Sequence, residues 1–178
     1  PGAYTLSSLA TITHALVSSG GVSGIASLRN IQLKRAGKIV ATLDLYDLLM
    51  RGDASSDLRL QNSDVIFIPT RGPRVTVEGE ILRPAIYELK DETSVEQVVS
   101  LAGGLTAKAH MQLARLERIQ SDGYMTVLDL NLRERADRAT SVQAGDTLTI
   151  GSGVDLKKNI ISLAGHIYHA GDLAWFNG

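Results

Sequence analysis

The stretch Val75-Thr-Val-Glu-Gly-Glu-Ile-Leu-Arg-Pro-Ala-Ile-Tyr-Glu-Leu-Lys-Asp-Glu-Thr-Ser-Val-Glu-Gln-Val-Val-Ser-Leu-Ala-Gly-Gly104 decides the fold. Val75, Val77, Gly79 and Ile81 alternate with Thr76, Glu78 and Glu80, the period-two pattern of a half-buried strand. Pro84 has no amide proton to give to a sheet and ends that strand. Tyr87 and Leu89 continue as a second short strand. Thr93-Ser-Val-Glu96 then has the spacing of a capping box, in which a hydroxyl and a carboxylate satisfy the first helical amides. From there Val95, Val98, Val99 and Ala102 fall on one helical stripe, and burying each valine contributes about 1.5 to 3 kcal/mol before entropy is charged. Gly103 and Gly104 end the helix, because glycine enters the left-handed conformation without steric cost. Apolar alternation resumes near residues 113–119, 124–130 and 147–150. One amphipathic helix per four or five short strands predicts an α+β unit whose helix covers one sheet face.

Working outward, this unit has echoes on both sides. Pro84, Tyr87, Leu89, Val95, Val98, Val99, Gly103 and Gly104 repeat Pro1, Tyr4, Leu6, Ile12, Ala15, Leu16, Gly20 and Gly21 at one constant spacing. After a slip of two residues, placed near Gly37 and Gly123, Leu128-Asp129-Leu130 matches Leu43-Asp44-Leu45. Gln143 through Ile150 then matches Gln61 through Ile68. A third echo, Leu163-Ala-Gly-His-Ile-Tyr-His-Ala-Gly171, resembles Val77 through Ala85 and sets Gly165 where Gly79 stands. The expected division is residues 1–72 as a first copy lacking its first strand, 73–152 as a complete copy, and 153–178 as the opening hairpin of a third. The sequence opens on Pro1-Gly2 rather than Met and is expected to be a segment of a longer protein.

Composition narrows the function. The 178 residues are 44% hydrophobic and 21% charged, in the range of folded globular chains. Eighteen basic against nineteen acidic side chains leave a net charge of −1, without the basic excess of a protein that grips nucleic-acid phosphates. With no cysteine there are no disulfides, thiolate metal sites or cysteine nucleophiles. No apolar run approaches the roughly 20 residues of a bilayer-spanning helix.

The strand Val77-Glu-Gly-Glu-Ile-Leu-Arg-Pro-Ala-Ile-Tyr87, the helix ending Leu101-Ala-Gly-Gly104, and Val142-Gln-Ala-Gly-Asp-Thr-Leu-Thr-Ile150 together resemble the SLBB domain, the soluble-ligand-binding β-grasp module. Tandem copies are similar to the periplasmic part of the Wza-like outer-membrane polysaccharide export family. The resemblance implies tandem β-grasp (ubiquitin-like) domains, each a small mixed sheet under one main helix. It implies a non-enzymatic periplasmic module, part of an outer-membrane-associated capsular or exopolysaccharide export protein, that takes part in ring assembly. Its partners would be further copies of itself, the exported polysaccharide and an inner-membrane polysaccharide co-polymerase, with no cofactor and no nucleic acid. A binding or adaptor module for another small ligand or protein is the alternative. The repeat signature comprises Pro1, Gly2, Tyr4, Gly20, Gly21, Gly79, Pro84, Tyr87, Gly103, Gly104 and Gly165. The pattern departs from the family where Pro84 is followed by Ala85, and where Ser63-Asp64 stands for Gly145-Asp146.

No other constellation carries chemistry. Ser18-Ser-Gly-Gly21 has phosphate-loop spelling but matches Leu101-Ala-Gly-Gly104 at a helix end, where the dipole repels anions. His166 and His169 are spaced to point to opposite faces of a strand and do not grip one metal. Asp44 and Asp129 recur at one matched position, which favours a turn or strand-end role over acid-base work, with Asp47 beside the first. Arg51-Gly-Asp53 reads as a loop turn, and Arg133, Arg135 and Arg138 among acidic neighbours as a solvated face. Tyr4 and Tyr87 share a position and are expected in the core, whereas Tyr168 and Trp175 are candidates for glycan contact. Val65 and Phe67 replace Thr147 and Thr149 of the other copy, so that strand is apolar on both faces and its second face is expected to form an interface.

Overall fold

The structure is a computed structural model that describes residues 2–153, 160–163 and 171–174. The chain is mixed α+β with few, short helices, consistent with a β-grasp-like fold. It divides into two compact units, one of Pro1–Arg74 with Glu88–Asp91, the other of Val75–Tyr87 with Glu92–Gly178.

In the first unit, helix α1 (Ile12–Ser18) precedes strands β1 (Ile31–Arg35) and β2 (Lys38–Leu43), helix α2 (Leu45–Arg51) and strand β3 (Val65–Phe67). The sheet order is β2-β1-β3, antiparallel throughout. Ala36 and Gly37, both at positive φ, close the tight turn between β1 and β2. Thr11 caps α1 through a capping box with His14, and Ile12 and Leu16 on its inner face pack with Ile31, Leu33 and Leu43 of the sheet.

In the second unit the elements are β4 (Arg74–Gly79), β5 (Ala85–Glu88), α3 (Val95–Leu101), β6 (Ala109–Ile119), β7 (Met125–Leu130), α4 (Arg135–Arg138) and β8 (Thr147–Ser152). The sheet order is β5-β4-β8-β6-β7, with β4 parallel to β8 and β6 antiparallel to both β7 and β8. Val75, Val77, Val95, Val98, Leu116, Leu148 and Ile150 are fully buried and make its core. Strands β9 (Ile160–Leu163) and β10 (Gly171–Ala174) form an antiparallel pair of their own.

Three details differ from the sequence reading. The α3 capping box is made by Ser94 and Gln97, one residue later than Thr93 and Glu96. The Thr93 carbonyl accepts from the Val142 amide, which holds Thr93 in an extended pairing and leaves Ser94 to start the helix. Two short helices, α2 and α4, were not expected. Lastly, the matched aspartates do not correspond. Leu33 lies opposite Ala41 and Ile66, and Leu116 lies opposite Leu128 and Leu148, so Leu128 answers to Ala41 and Leu130 to Leu43. Asp44 is a buried cap whose Oδ1 accepts from the Tyr46 amide, whereas Asp129 sits within β7 with its side chain 83% exposed, beside Arg115. A shift of two residues keeps every side chain on its own face, so alternation alone could not fix this register.

Candidate functional site

In the first unit a cleft of about 390 Å³ is lined by polar groups, among them Ser27, Arg29, Asn30, Thr42, Thr70, Glu88 and Lys90. Its floor is a buried charge cluster. Arg29 Nε donates to Asp44 Oδ2 at 3.0 Å, its Nη1 donates to the Glu88 carbonyl at 3.0 Å, and its guanidinium lies 4.8 Å from the Tyr46 ring centroid. The Glu88 carboxylate accepts from Ser27 Oγ at 2.7 Å, the Gly72 amide at 2.8 Å and the Leu28 amide at 2.9 Å. Burial pushes the Glu88 carboxyl up, but these donors and the Arg29 charge outweigh it and hold the group below the ordinary glutamate value. The floor is therefore satisfied and stiff. Asn30, Thr42, Thr70 and Lys90 are exposed around it, with Lys90 Nζ 3.6 Å from Asp44 Oδ2. That rim offers hydroxyl, amide and ammonium groups, which suit a polyhydroxylated ligand rather than an apolar one.

The second unit has a cleft of about 360 Å³ between α3, the Gly103-Gly104 turn, Met111, Leu132 and Arg138. Its walls are mainly apolar, and Arg138 Nε lies 3.5 Å from Glu96 Oε1 at its edge. Arg138 also donates to the Leu132 and Arg133 carbonyls, so it is a tie for the α4 turn and not a freely solvated charge.

Both units share one clasp under the strand they hold. Arg35 Nε and Nη2 donate to both oxygens of Asp64 at 2.8 Å, and Arg118 Nε and Nη2 donate to those of Asp146 at 2.9 and 2.7 Å. Asp64 also accepts from the Gln61 amide, and Asp146 from the Gln143 amide, each at 2.8 Å. Such two-pronged pairs fix geometry as well as charge.

The positions singled out from the sequence fall in different places. Gly20, Gly21, Gly103 and Gly104 all lie at φ between +88° and +95°, directly after α1 and α3, and act as helix stops. Gly79 lies at φ +82°, and a Cβ there would stand 2.1 Å from the Ile150 carbonyl oxygen. Gly2 and Pro84 are exposed in loops. Tyr87 is 3% exposed and its hydroxyl donates to the Arg83 carbonyl, as a core position requires. Tyr4 is 55% exposed, which corrects the core expectation: residues 2–9 form no strand, so nothing aligns Tyr4 as β4 and β5 align Tyr87. Val65 and Phe67 are 58% and 45% exposed, with Lys34 Nζ 4.2 Å above the Phe67 ring. Pro1, Gly165, His166, Tyr168, His169 and Trp175 lie outside the described residues. Arg29 and Glu88 escaped the sequence reading altogether. Glu88 falls between Tyr87 and Leu89, where strand alternation assigns a side chain to solvent, yet all three are buried.

The polar cleft belongs to the first unit, with its antiparallel sheet, and the mainly apolar one to the second, where a helix lies against a mixed sheet. Residues 74–129 match the family model of the SLBB domain. The match runs from β4 across α3 and through most of β7, and it identifies an SLBB domain there, in line with those of polysaccharide export proteins. SLBB is a family of ligand-binding and not of catalytic domains. No helix among the described residues is long and apolar enough to cross a membrane.

Proposed function

We propose that the chain is a non-enzymatic module of a capsular or exopolysaccharide export protein, working in the periplasm as part of an outer-membrane-associated assembly. Its copies build a ring and touch the exported glycan, and an inner-membrane polysaccharide co-polymerase is a further partner. The observation that carries this reading is the SLBB match over residues 74–129. The first unit is read as a second β-grasp copy over residues 1–72, residues 73–152 as the complete one, and 153–178 as the start of a third. The shared arginine-aspartate clasp and the shared glycine stops support that division. Glycan contact is assigned to Tyr168 and Trp175, whose rings suit sugar faces, and to the polar rim of Asn30, Thr42, Thr70 and Lys90.

Titration of the chain with a hexuronate-containing oligosaccharide and with a neutral glucose oligosaccharide, followed by amide and indole NMR shifts, tests the reading. Saturable shifts at Trp175 and around the rim are expected, with Trp175→Ala weakening binding roughly tenfold, about 1.4 kcal/mol. Absence of shifts with both sugars at millimolar concentration contradicts glycan contact, and cleavage of either sugar contradicts the non-enzymatic assignment.

A further inference from the structure

The polar cleft of the first unit gathers two cations and two anions, and they lie at different depths. Arg29, Asp44 and Glu88 are 5%, 5% and 7% exposed, whereas the Lys90 side chain is 45% exposed. Both carboxylates are taken up by donors of the chain itself. Asp44 accepts from the Tyr46 amide on Oδ1 and from Arg29 Nε on Oδ2, with Lys90 Nζ 3.6 Å from the same Oδ2. Glu88 accepts from Ser27 Oγ and from the Gly72 and Leu28 amides. A buried carboxylate supplied in this way has little to give an incoming hydroxyl, and the Arg29 guanidinium offsets the buried negative charge at close range. The charge that a ligand meets at the mouth is therefore the Lys90 ammonium.

The rest of the rim is neutral and made for hydroxyls. Asn30 Oδ1 accepts from Gln32 Nε2, so Asn30 meets a ligand with its N–H groups, and the Thr42 and Thr70 hydroxyls both donate and accept. A volume of about 390 Å³ is at the small end of ligand sites and suits a short stretch of saccharide. A neutral sugar would use the rim and leave the ammonium without a counter-charge of its own. A sugar that carries a carboxylate uses both.

We propose that this cleft takes a carboxylated sugar, a hexuronate unit of an acidic polysaccharide, with Lys90 against its carboxylate and Asn30, Thr42 and Thr70 on its hydroxyls. The proposal rests on the glycan-binding reading above and narrows it to acidic polymers. Arg29 is not the anion's partner, because it is buried and bonded to Asp44 and to the Glu88 carbonyl. Its part, with Asp44, is to hold the Lys90 ammonium at the mouth before the ligand arrives, which lowers the ordering cost of binding. An ion pair at a half-exposed lysine is screened by salt, so the preference for the acidic sugar must shrink as ionic strength rises.

Trigalacturonate and its fully methyl-esterified form share one sugar skeleton and differ in charge. Each is titrated into the full chain, with the amide shifts of Asn30, Thr42, Thr70 and Lys90 followed by NMR. The acid is expected to bind at least tenfold more tightly than the ester. Lys90→Gln should bring the acid down to the affinity of the ester and leave the ester within twofold of the parent, and Lys90→Arg should keep most of the preference. Equal affinity of the parent for acid and ester overturns the proposal and leaves the glycan-binding reading standing, whereas no shift with either sugar overturns both. A preference that survives Lys90→Gln, or a variant that weakens acid and ester alike, also overturns the proposal, since the lysine would then be no partner of the anion. The unsubstituted chain gives a check that needs no variant: raising salt must close the gap between acid and ester while the ester's affinity holds, and a gap indifferent to salt overturns the proposal.

Discussion

At the scale of single residues, the structure turns on a few backbone positions where the side chain is decided by geometry. Gly79 is the most constrained, since its positive φ strains any L side chain and the Ile150 backbone leaves no room for a Cβ. Gly79→Ala is expected to destabilise the second unit by more than about 3 kcal/mol, because the obstacle is backbone and cannot swing away. A denaturation midpoint shifted by less than a third of that would contradict the close approach. Ser63 shows the opposite case. It holds φ +65°, where Gly145 at φ +89° makes the same turn into the next strand, so the departure from glycine changes the residue and keeps the turn. Ser63→Gly should therefore stabilise the first unit by roughly 1 kcal/mol through relief of left-handed strain, and equilibrium unfolding reads this directly. A loss of stability would show that the serine makes a contact worth more than the strain.

At the scale of elements, strands are held by clasps as much as by the apolar stripe. The Arg35 guanidinium, by its hydrogen bonds to Asp64, holds that carboxyl below the ordinary aspartate range, against an opposing push from burial and with help from the Gln61 amide. A carboxyl whose folded value is lowered stabilises the fold fully above its unfolded value, about 4, and loses that contribution as pH falls through the lower folded value. Glu88 acts in the same direction. Stability should thus decline as pH drops below about 4, and Asp64→Asn should flatten part of that decline. Equal acid limbs for the two proteins in urea titrations at stepped pH would remove Asp64 from the account. The elements were largely legible in the sequence where a single physical cause acts locally: alternation for β4, β6 and β7, the apolar stripe for α3, paired glycines for the helix stops. What escaped depended on contacts distant in sequence. The Thr93–Val142 bond moved the cap to Ser94, the longer turn before β7 moved its register by two residues, and the Arg29–Asp44–Glu88 cluster joins residues that no local pattern connects.

At the scale of the whole molecule, the proposed role is that of a module within a larger export assembly. Val65 and Phe67 are exposed on β3. Phe67→Ser is expected to leave the fold of the isolated chain intact, since the ring is already half exposed and touched by Lys34, while weakening self-association severalfold. A variant that associates as strongly as the parent in sedimentation would place the interface elsewhere. The central proposal is that the chain is an export module whose copies build a ring. Light scattering across a concentration series tests it most directly. The proposal predicts a mass that rises with concentration to a closed multiple of the 19.1 kDa chain. A monomer at every concentration would contradict it.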